Sequence, residues 1–78
     1  MRTKEELTYL IELMKITFKI IESTESHNPF DVIDNVDRAL ELFEELISVA
    51  VDPQFKSEAE EKRDSLVNFR QFVLDNAN

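Results

Sequence analysis

Asp34, Asp37, Glu41, Glu44 and Glu45 recur at three- and four-residue intervals, a spacing that sets side chains along one face of a helix. A row of carboxylates can do two kinds of chemistry. It can collect oxygen ligands around a hard cation, or it can present fixed negative charge to a basic surface. Hard cations need oxygens that converge on one point, and a single helix face spreads its carboxylates along a line instead. Docking of a basic partner protein is therefore the expected role of these five residues, with no metal and no cofactor implied. At a rise of 1.5 Å per residue the row carries about one charge per 3.5 Å, against about one per 1.7 Å for duplex DNA. That is a sparse imitation of a phosphate track, suited to a partner that itself binds nucleic acid. The plainer alternative is a solvated surface, the usual fate of a charge run.

The wider charge distribution points the same way. The chain has 78 residues and a net charge of −8. Eight of its 17 acids fall between Thr24 and Asp52, where Arg38 is the only base, while residues 1–23 are balanced. A field localised in this way bears on association more than on fold. It argues against direct binding to nucleic acid or anionic membrane, both of which call for Lys/Arg patches. In composition the chain resembles the small, acidic, helical inhibitors that phages and mobile elements direct at host machinery. The expectation is a small non-catalytic regulator or inhibitor.

A second carboxylate pattern supplies an enzymatic alternative. Glu41-x-x-Glu44 followed by Glu61-x-x-Asp64 resembles the E-x-x-E … E-x-x-D signature of the MazG-like all-α nucleoside triphosphate pyrophosphohydrolases. The resemblance implies that Glu41, Glu44, Glu61 and Asp64 gather Mg²⁺ around a triphosphate so that water can attack between phosphates. It covers residues 41–64 alone, and Arg63-Asp64 stands where the family usually has Gly-Asp. If the apolar stripes of the two helices share one core, the two carboxylate pairs point outward on different sides and cannot share a metal.

Other chemistries are removed by composition. Cysteine is absent, which excludes disulfides, thiolate zinc sites and a cysteine nucleophile. His27 is the only histidine and falls in an expected loop, so a histidine-based triad has no base there. With no glycine there is no Gly-rich phosphate cradle. No apolar run approaches the ~20 residues needed to cross a bilayer, and the charged start Met1-Arg2-Thr3-Lys4 does not read as a secretory leader. A soluble, cytoplasmic protein is expected.

The elements that must carry these residues are helices in one domain spanning residues 1–78. Thr3 and Glu6 form a capping-box signature, opening a first helix over about 3–22. Asn28-Pro29 is a cap followed by proline at the first helical position, opening a second over about 29–49. Asp52-Pro53 repeats that signal, and Ser57 with Glu60 offers a competing box. The reading taken is a short turn through Phe55 and a third helix over about 58–75. Short connections make successive helices antiparallel, so the expected architecture is an all-α bundle of three antiparallel helices.

The first helix is apolar round roughly 200° of its circumference, twice what a surface helix needs. Leu7, Ile11, Met14, Phe18 and Ile21 form one stripe with Leu10; Tyr9, Leu13, Ile16 and Ile20 form another. A chain of this length gains only about 3–5 kcal/mol from a single core, and small scaffolds often add a second subunit. Tyr9, Leu13, Ile16 and Ile20 are accordingly the expected self-association residues of a homodimer that completes the bundle.

Overall fold

A computed structural model describes residues 1–77. It contains α1 (Lys4–Glu25), α2 (Pro29–Val49) and α3 (Pro53–Asp75), with no strand among the described residues. The all-α bundle read from the sequence is the observed fold. Each helix begins where a side chain satisfies backbone N–H groups that have no intrahelical partner. At α1, Glu6 N–H donates to Thr3 Oγ1 over 3.1 Å and Thr3 N–H donates to Glu6 Oε1 over 2.9 Å, a reciprocal capping box. At α2, Asn28 Oδ1 accepts from Phe30 and Asp31. At α3, Asp52 Oδ1 accepts from Gln54 N–H over 3.0 Å.

Two boundaries differ from the sequence reading. α1 continues to Glu25, three residues beyond the expected end. In this added stretch Ser23 and Thr24 donate their hydroxyls to the carbonyls of Ile20 and Ile21, at 2.8 and 2.6 Å, so both polar side chains find partners on the helix itself. α3 starts at Pro53, because Asp52 is the cap in use and Ser57 lies inside the helix. The first turn of α3 is also held from outside. Arg2 stacks 3.7 Å above the Phe55 ring and reaches Asp52 at 3.5 Å.

The arrangement has α2 at its centre. α2 packs against both other helices, whereas no Cα of α1 comes within 8 Å of a Cα of α3. The molecule measures 43 × 19 × 14 Å. With about 9 Å between packed helix axes, that cross-section fits an open V with α2 at the apex. Val32, Val36, Ala39, Leu42 and Leu46 are the buried positions of α2. Ile33, Leu40, Phe43 and Ile47 flank these positions and are half-buried, because α2 divides its apolar surface between two neighbours.

His27 occupies the left-handed region at φ 59° in the turn between α1 and α2. Glycine is the usual residue just past a helix end, and this chain has none. Two stability measurements check the description. Leu46→Ala removes a side chain 1% exposed in the central cluster and should cost about 2–5 kcal/mol in denaturant unfolding. His27→Gly relieves the backbone without touching the core and should stabilise by about 1 kcal/mol.

Candidate functional site

The five predicted carboxylates of α2 separate into two groups once α1 and α3 are in place. Asp37 and Glu44 face α3. Arg70 Nε donates to Asp37 Oδ1 over 2.7 Å, and Arg63 Nη1 donates to Glu44 Oε1 over 3.0 Å. These two pairs tie the α2–α3 seam, and their hydrogen bonds are the main reason that both guanidinium groups are held above their ordinary pKa. As partly exposed pairs they set register more than they add stability. Asp37 and Glu44 are thus engaged within the chain, a role that spacing along α2 could not reveal because the partners lie 33 and 19 residues away.

Asp34, Glu41 and Glu45 remain on the outer side. All three are exposed, and on the helical wheel they lie about 120–180° from Ala39 and Phe43. Glu41 takes a hydrogen bond from Arg38 one turn back, at 3.1 Å. Asp34 has no ion pair among the described residues, and with Glu22, Asp31 and Lys19 it lines a polar cleft of about 490 Å³ between α1 and α2. Glu45 lies beside Tyr9. Its charge is the first cause of a rise in the Tyr9 pKa above the ordinary 10.0, followed by burial, with a smaller push from the charge of Glu5.

The MazG-like carboxylate set does not assemble. Arg63 bonds Glu44 at 3.0 Å and Asp64 at 3.1 Å, so a guanidinium lies between two of the four acids. Glu41 is turned to Arg38. Among the described residues no three acidic, histidine or cysteine side chains are placed to hold a metal ion. The residues present do not fit a Mg²⁺–triphosphate centre.

The expected self-association residues need a correction. Leu13 and Ile16 are buried within one chain, in the cluster with Ala39, Leu42, Leu46 and Ala59, and Tyr9 and Ile20 pack partly buried against it. Leu13 and Ile16 are taken up by the α1–α2 seam and are not free for a second copy, while Tyr9 and Ile20 keep part of their surface exposed. The surplus lies on the other stripe, where Leu7, Ile11, Met14, Phe18 and Ile21 are between 47% and 61% exposed. Of this stripe, Ile21 reaches the open side of the V. There Ile20 and Ile21 of α1, Ala39 and Phe43 of α2, and Leu66 and Phe69 of α3 line an apolar groove of about 330 Å³. Sequence periodicity shows that α1 has two apolar stripes, but only the position of α2 decides which one is covered.

No family model, curated protein or solved structure matches the chain. Tyr9 is the only tyrosine, so its titration reads one site. Because the neutral phenol is favoured in the folded chain, this contribution to stability is whole below pH 10 and is lost as pH rises through the raised value. Tyrosinate absorbance should rise at a higher pH than in the unfolded chain, and Glu45→Gln should lower that midpoint. An unchanged midpoint in the variant would mean that the two groups are not juxtaposed.

Proposed function

We propose that the protein is a non-catalytic interaction module, a small regulator or inhibitor that docks on a basic partner protein through the outer acidic side of α2. The observation that carries this reading is that Asp34, Glu41 and Glu45 are exposed and make no hydrogen bond to α3, whereas Asp37 and Glu44 are tied to Arg70 and Arg63. The nearby open cleft, lined by Glu22, Asp31 and Asp34 together with Lys19, adds carboxylates beside this surface. Pairing on this surface would steer association and set its orientation, and it would suit a partner whose own ligand is a phosphate backbone.

The fold keeps the test clean, because none of the three residues contributes to the central cluster. The combined variant Asp34→Lys, Glu41→Lys, Glu45→Lys should retain its helical circular dichroism. It should fail to retain the proteins that the wild-type chain holds on an affinity column. Elution of those proteins should require only added salt, since exposed charge pairs are screened over about 10 Å at 0.1 M. If the triple variant holds the same proteins with the same salt dependence, the carboxylates are solvated surface and the reading fails.

A further inference from the structure

The outer stripe of α1 is a different surface from the acidic side of α2, and the structure leaves it without a partner inside the chain. Leu7, Ile11, Met14, Phe18 and Ile21 run along about four turns of helix, each about half exposed. At roughly 100 Å² of exposed apolar area per side chain the stripe amounts to about 500 Å², at the upper end of what a soluble monomer normally shows. Two such stripes facing each other would remove about 1,000 Å² of apolar surface, which with the flanking polar atoms reaches the ~1,200 Å² of the smaller stable interfaces.

We infer that the occupant of this stripe is the same stripe of a second copy, with the two α1 helices antiparallel about a two-fold axis at Met14. The order of residues carries the register. Leu7 and Ile21 are equidistant from Met14, so reversal of one helix sets Leu7 against Ile21 of the partner subunit and Met14 against its own counterpart. Ile11 and Phe18 then fall close to each other across the axis. Charge agrees with this direction. Lys4 lies near the start of α1 and Glu22 and Glu25 near its end, and the antiparallel arrangement brings opposite charges together at both ends. Antiparallel helix dipoles also attract. The charge that would oppose self-association is elsewhere, since residues 1–23 are neutral and the excess acid lies between Thr24 and Asp52.

The wild-type chain should sediment as a dimer. Phe18→Glu changes a residue that is 61% exposed, so it should stay helical while weakening self-association by at least about 100-fold, because the substitution enters a symmetric interface twice. The absence of native cysteine allows the register to be read directly with a short thiol-reactive crosslinker. Leu7→Cys mixed with Ile21→Cys should crosslink between subunits, whereas Leu7→Cys alone should not. A monomeric wild type, or a Phe18→Glu variant that dimerises as well as the wild type, would overturn the inference. Crosslinking of Leu7→Cys to itself would overturn the antiparallel register. None of these outcomes depends on the acidic side of α2, so the docking reading stands or falls separately.

Discussion

The seam formed by Ala39, Leu42 and Leu46 is the constraint on which the other features depend. These three side chains of α2 belong to one cluster with Leu13 and Ile16 from α1 and Ala59 from α3. Because α1 and α3 do not close on each other, each is positioned mainly through α2, with Arg2 on Phe55 and Asp52 as the link from the start of α1 to α3. Where α1 turns its stripes, which carboxylates α3 can reach and which side of the V stays open all follow from how α2 divides its apolar arc. A closed triangle of helices would have covered Phe43 and Phe69 and left no groove.

That division also separates the molecule's two chemistries. One side of α2 gives its apolar residues to the core and to the groove, and the opposite side carries the acids. α3 reaches that acidic side through Arg63 and Arg70, and α1 reaches it through Tyr9. The carboxylate row is therefore a mixed feature, part seam and part free surface. Its free portion is smaller than a count of acids suggests. The exposed stripe of α1 and the exposed carboxylates of α2 point to different solvent regions, so one contact need not compete with the other.

Much of the fold could be read from local chemistry. Thr3 with Glu6, Asn28 with Pro29, and Asp52 with Pro53 are cap signatures whose hydrogen bonds involve neighbouring residues, and all three caps are present. The start of α3 is ambiguous in the sequence because two such signals lie five residues apart, and Asp52 is the one in use, with Arg2 packed against the same turn. The candidate site was less legible. A helical wheel shows that Asp37 and Glu44 lie on the polar side of α2, but their engagement depends on Arg70 and Arg63, which only the packed structure brings near. The two stripes of α1 are comparably apolar, so nothing in their composition distinguishes the covered stripe from the free one.

Helix pairs that share α2 but not each other have a kinetic consequence. α3 contributes one buried residue, Ala59, against four in α1 and five in α2. It is secured mainly by half-buried Phe55, Leu66 and Phe69 and by two solvent-accessible arginine links. Loss of α3 would leave the α1–α2 hairpin with its own contacts intact, so the molecule contains a smaller cooperative unit within the larger one. Amide protons in the last helix should then exchange with solvent well before those of the first two, through partial opening that never requires the whole chain to unfold.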